Sequence, residues 1–108
     1  MAATGPAPMS AEIQEGVGIV RFGAPPANLL SRRLAREVIE AVGRMSAGAA
    51  NVIVLTGAGR AFSAGADPDD LRALASDEEG RQAAADGQEI LAKLVSSGTL
   101  IIAAINGI

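Results

Sequence analysis

The run NVIVLTGAGRAFSAGADPDD, residues 51–70, changes character twice within its length. Asn51 to Gly57 is a continuous apolar stretch of strand length, the pattern of a parallel strand covered on both faces. A loop of glycines and alanines follows, and then a helix start. Asp67 suits the N-cap, Pro68 suits the first helical position, and Asp69 and Asp70 favour the positive end of the helix dipole. Strand, small-residue loop and helix in this order are the unit of an α/β fold.

Working toward the N-terminus, Leu30, Leu34, Val38, Val42 and Met45 recur at helical spacing, with Arg32, Arg33, Arg36, Glu37 and Glu40 opposite them. An amphipathic helix is predicted there, with Ser31 as its N-cap. GAPPANLL before it is a proline-punctuated loop. EIQEGVGIVRF reads as two short strands turning at Glu15–Gly16, with Val17, Ile19 and Phe22 facing one core. Residues 1–10 are expected to be a disordered leader, with Met9 as an alternative start.

Toward the C-terminus, DPDDLRALA predicts a short helix, EEGRQAAADGQEILAKLVSSG a longer one, and TLIIAAING a second strand buried on both faces. The predicted order is β-β-α-β-α-α-β. A strand of that last type needs neighbours on both edges. Residues 11–108 are therefore expected to be the N-terminal part of a longer domain.

Composition narrows the chemistry. The chain of 108 residues has no cysteine and no histidine, which excludes a disulfide scaffold and removes the commonest general base and metal ligand. A net charge of −3 without a basic, aromatic-interleaved run argues against nucleic acid. The N-terminus shows no signal-peptide pattern, and the longest strongly apolar run, Leu100 to Ile105, is too short to span a bilayer. A cytoplasmic protein without a membrane or metal partner is the expectation.

The loop itself offers few reactive side chains. LTGAGRAF fails the dinucleotide pattern, because Phe62 stands where the third glycine of G-x-G-x-x-G belongs, and no G-K-[ST] follows. Ser63 has no visible base, and Asp67 is explained by capping. Backbone donors remain. Gly65 allows a sharp turn, and the amides of Gly65 and Ala66 lie outside strand and helix pairing, where free N–H groups can stabilise a developing oxyanion. Arg32 and Arg33 sit at a helix N-terminus, either as solvated charges or as a phosphate-binding edge.

VIVLTGAGRAFSAGAD, preceded by PPANLLSRRLAREVIEAV and followed by LIIAAING, resembles the N-terminal half of the crotonase superfamily, the enoyl-CoA hydratase/isomerase family. The resemblance runs from about Ile13 to Ile108. It implies a spiral of ββα units, commonly assembled as trimers or dimers of trimers, acting on acyl-CoA in fatty-acid metabolism with no cofactor beyond the coenzyme A of the substrate. It implies that the Ala66 amide forms half of an oxyanion hole for the thioester carbonyl, and that backbone from Ala64 through Gly65 to Asp67 receives the CoA. The implied reaction is addition of water to a 2-enoyl-CoA; isomerase, dehalogenating and related members share this half.

Ala27 departs from the family, which often has a basic residue there to touch a CoA phosphate; Arg32 or Arg33 would substitute. The second oxyanion amide and two catalytic glutamates of the hydratases fall after position 108. Glu37, Glu40, Glu78, Glu79 and Glu89 lie on polar helix faces and supply no replacement. The 108 residues alone are expected to be inactive. The alternatives are a non-catalytic half-domain used for oligomerisation or acyl-CoA binding and, more weakly, a nucleotide-binding dehydrogenase.

Overall fold

A computed structural model describes residues 8–108. The elements are β1 (Met9–Gln14), β2 (Val17–Phe22), α1 (Arg32–Ala47), β3 (Val52–Gly57), α2 (Pro68–Arg72), α3 (Asp77–Val95) and β4 (Leu100–Ala104), the order the sequence predicts. The four strands form one sheet in the order β1-β2-β3-β4. The first pair is antiparallel and the other two are parallel. β1 opens at Met9, so Met9 and Ser10 are strand residues rather than leader; residues 1–7 of the expected leader lie outside the described residues.

The hairpin closes through Glu15 and Gly16, both with positive φ, the two-residue turn whose twist matches that of its strands. Helix α1 then carries the chain from β2 to β3. Ser31 caps it by accepting from the Leu34 N–H at 3.0 Å. Leu34, Val38, Ala41, Val42 and Met45 form its buried stripe.

That stripe meets one face of the sheet, where Val20, Phe22, Ile53 and Leu55 complete the core. The register pairs Val20 with Leu55 and Phe22 with Gly57, so the buried residues stand in rows across β2 and β3. Because side chains alternate along a strand, Val17 and Ile19 must lie on the opposite face from Val20 and Phe22. The sequence places Val17, Ile19 and Phe22 together; the structure separates Phe22 from the other two.

The second face also differs from expectation. β3 alternates between buried and half-buried positions rather than being enclosed on both sides. β4 is largely exposed, with Leu100 at 67% and Ile102 at 46% of full accessibility. The cause is one-sided packing: α1, with Leu94 of α3 and Ile101 of β4 against its core, covers a single face. An unbroken apolar run identifies a strand able to be buried twice, and only the surrounding layers decide whether it is.

Helix α3 starts at Ser76, whose Oγ accepts from the Glu79 N–H at 3.1 Å, while the Glu79 carboxylate accepts from the Ala75 N–H at 2.8 Å. This reciprocal capping fixes the start of the helix. No residue of α3 is fully buried. Its Glu78–Arg81 and Glu89–Lys93 pairs are exposed, so they add little to stability. Among the described residues no helix is long and apolar enough to cross a membrane.

Candidate active-site loop

The loop from Ala58 to Asp67 joins β3 to α2 and crosses the segment that leads into α1. The two meet in a single parallel bridge between Leu30 and Ala66. The Leu30 N–H donates to the Gly65 carbonyl at 2.8 Å, and the Asp67 N–H donates to the Leu30 carbonyl at 3.1 Å. In a parallel ladder the residue between two such contacts turns its own N–H and C=O to the opposite edge. Ala66 is that residue. Its N–H has no hydrogen-bond partner among the described residues, and Ala66 is exposed.

Gly65 produces the turn before it. Its φ is +114°, a conformation open chiefly to glycine, and a Cβ there would meet open space. Conformation, not crowding, demands glycine at this point. The absence of any side chain larger than methyl from Ala64 to Ala66 leaves the donor accessible.

The other predicted donors have different fates. The Gly65 N–H donates to Ser63 Oγ at 3.1 Å, and the Ala64 N–H to the Ala27 carbonyl at 2.8 Å. Of the two amides that the sequence leaves free, only that of Ala66 is available. The hydroxyl of Ser63 donates to the Asn28 carbonyl at 2.8 Å, a structural role in keeping with its lack of a base. Asp67 caps α2, accepting from the Asp69 N–H at 2.9 Å, with Pro68 in the first turn.

At the start of α1 the Arg32 N–H donates to the Asp70 carboxylate at 2.8 Å. An anion from the chain itself therefore occupies this helix N-terminus, and Asp70 links α2 to α1. The helix-amide half of the phosphate-edge reading is filled from within; the guanidinium groups are separate from it. Arg32 and Asp70 line an open cleft of about 370 Å³ with Leu74, Glu79 and Gln82. Arg33 is half-buried in the same turn and has interactions of its own.

Two residues that the sequence does not single out organise the loop. Asn28, fully buried and at φ +50°, donates from Nδ2 to the carbonyls of Ala58 at 2.7 Å, Ala61 at 2.8 Å and Phe62 at 3.3 Å. Asn106 donates from Nδ2 to the carbonyls of Gly57 and Gly59, both at 3.0 Å, and of Ala61 at 3.3 Å. Its Oδ1 accepts from the Gly57 N–H at 3.1 Å. Tolerance of positive φ is a weak sequence signal for asparagine at position 28. Nothing local to either asparagine reveals partners tens of residues away.

Chemically, the turn at Gly65 and Ala66 presents an unspent backbone donor, that of Ala66, in a setting of small residues, suited to polarising a carbonyl oxygen. The neighbouring acids are occupied: Asp67 by its cap, Asp70 by Arg32, and Asp69 by Arg72 at 2.6 Å. No cluster of three or more candidate metal ligands occurs among the described residues.

Comparison with known proteins identifies the family and the fold. A family model described as enoyl-CoA hydratase/isomerase matches residues 12–108. A probable enoyl-CoA hydratase of Bacillus subtilis (strain 168) is 33% identical over 100 residues, covering 92% of this chain and 39% of that protein. Among solved structures, an enoyl-CoA hydratase subunit I from Geobacillus kaustophilus HTA426 superposes with a TM-score of 0.81 at 33% identity, over 94% of this chain and 39% of the other. An enoyl-CoA hydratase from Bacillus anthracis gives 0.80 at 27% identity, over 92% and 40%. The chain thus spans about two-fifths of the length of these relatives. With the fold, the strand–loop–helix unit and the family match in agreement, the chain belongs to the enoyl-CoA hydratase/isomerase family and corresponds to the N-terminal portion of the crotonase fold.

Proposed function

We propose that this chain supplies the thioester-binding part of an enzyme that adds water to a 2-enoyl-CoA, with the Ala66 N–H donating to the thioester carbonyl oxygen. The observation that carries the reading is the unpartnered amide of Ala66 at the exposed edge of the Leu30 bridge. As water adds across the conjugated double bond, negative charge develops on that oxygen. A fixed donor stabilises this charge more than it stabilises the neutral carbonyl, and so lowers the barrier. The backbone of Ala64, Gly65 and Asp67 is assigned to the adenine side of the CoA, and Arg32 or Arg33 to a CoA phosphate. Assembly into trimers belongs to the same proposal.

The proton-transferring carboxylates are assigned to chain outside these 108 residues, because the acids beside Ala66 are engaged in capping and pairing. The 108-residue chain is accordingly expected to bind an enoyl-CoA without hydrating it. Following the absorbance of the conjugated thioester with purified chain tests this, and a decline with time would overturn it.

The donor itself is tested by Ala66→Pro, which removes the N–H without breaking any intramolecular hydrogen bond that it makes. A chromophoric enoyl thioester of CoA should show a red-shifted absorption on binding to the unmodified chain, because hydrogen bonding draws electron density toward the carbonyl oxygen. In Ala66→Pro the shift should vanish. An equal shift in both proteins would dismiss Ala66 as the donor.

A further inference from the structure

We infer that Asn28 and Asn106 are a paired clamp that sets the aim of the Ala66 amide, acting on it through the carbonyls of the loop; the inference rests on the oxyanion role proposed above. The need for a clamp follows from composition. Between Gly57 and Ala66 the only large apolar side chain is Phe62, which meets Phe22 edge-on with ring centroids 5.3 Å apart. Glycines and alanines lose much backbone freedom on ordering and have little side chain with which to offset it. An oxyanion donor, by contrast, must be held to within about 0.5 Å.

The two asparagines provide the missing constraint from either side of the loop in sequence. Their Nδ2 groups gather the carbonyls of Gly57, Ala58, Gly59, Ala61 and Phe62, and they share the Ala61 carbonyl between them. Backbone contacts extend the hold, since the Phe62 and Ser63 N–H groups donate to the main-chain oxygen of Ile108 at 2.7 and 3.1 Å. Ser63 then links the clamp to the turn at Gly65, accepting from the Gly65 N–H while donating to the Asn28 carbonyl. A continuous chain of hydrogen bonds therefore runs from the Asn28 backbone carbonyl to the Ala64–Gly65 peptide, one peptide before the Ala66 N–H. Only an amide can serve at both places, because a carboxylate of the same shape would turn an acceptor toward acceptors.

Asn106 gives the cleaner test, because Asn28 is fully buried whereas Asn106 is exposed. The experiment compares the ¹⁵N-labelled full chain with Asn106→Asp and Asn106→Ala by NMR, then repeats the chromophoric thioester measurement. Amide signals of β2, β3 and α1 should persist in both variants. Exchange at Phe62 and Ser63 should rise about tenfold, the equivalent of about 1.4 kcal/mol, and the Ala66 signal should move or broaden. The thioester red shift should shrink while affinity for CoA itself stays within about twofold, a separation that general unfolding would not produce.

An unchanged Ala66 signal and an unchanged red shift in both variants would overturn the inference. So would loss of the β2, β3 and α1 signals, which would make Asn106 a residue of the fold rather than of the loop. If the unmodified chain gives no red shift at all, the oxyanion role fails, and exchange at Phe62 and Ser63 still decides whether the clamp exists.

Discussion

Asn28→Ala is expected to lower the stability of the chain by about 4 kcal/mol, a large part of what a domain of this size possesses. The Ala58 and Phe62 carbonyls lose their asparagine donor, and each half-buried acceptor left unpaired costs about 1–3 kcal/mol. The Ala61 carbonyl suffers less because Asn106 also reaches it. Alanine at a φ of +50° adds strain that asparagine tolerates better. Urea denaturation followed by circular dichroism measures the loss. Asn28→Asp keeps the shape and removes the donor, so it should fall near the alanine variant. A loss below about 1 kcal/mol in both would show that the contacts from Asn28 Nδ2 do not hold the loop.

Gly57→Ala should be nearly as damaging, for a steric reason. A Cβ at this position would stand 2.7 Å from Phe62 Cα and still closer to the carbonyl oxygens of Ala61 and Phe62. These are backbone atoms, and Asn28 holds both carbonyls, so neither side can yield cheaply. We expect a cost of about 3 kcal/mol, with displacement of the loop and loss of the thioester red shift. Gly43→Ala is the matched control. It lies within α1, where a Cβ meets nothing within 4 Å, and it should gain up to about 1 kcal/mol from helix propensity. Equal behaviour of the two variants in denaturation would refute the close-packing account of Gly57.

These effects mark where the sequence is legible. Helix α1 could be read because its buried stripe and its Ser31 cap are both local patterns, set by residues three and four apart. The same holds for the Glu15–Gly16 turn and for the start of α2 at Asp67 and Pro68. The core face of β2 is not legible, because a strand with valine or isoleucine at three of its first four positions carries no alternation to indicate which side is inward. At the loop, small residues indicated backbone chemistry, yet Gly65 and Ala66 looked equivalent. Only the hydrogen bond from Gly65 to Ser63 distinguishes them.

Asn28 and Asn106 show the limit most clearly. Each is a polar residue in a turn-like context, and asparagine in such a place ordinarily bonds to its own neighbours. Here the acceptors lie 30 to 34 positions away from Asn28 and 45 to 49 away from Asn106. No local pattern encodes such a distance.

By itself the sequence determined the order of strands and helices, the caps that start α1 and α2, and the run of small residues between β3 and α2. Periodicity, caps and composition act over a turn or two of chain, and that range is readable in one dimension. The tertiary structure decided which sheet face the helices cover, which of two similar amides remains unspent, and which distant side chains hold the loop in place. Those outcomes depend on contacts across the fold, because a donor is free only when every acceptor within reach is turned away or already taken.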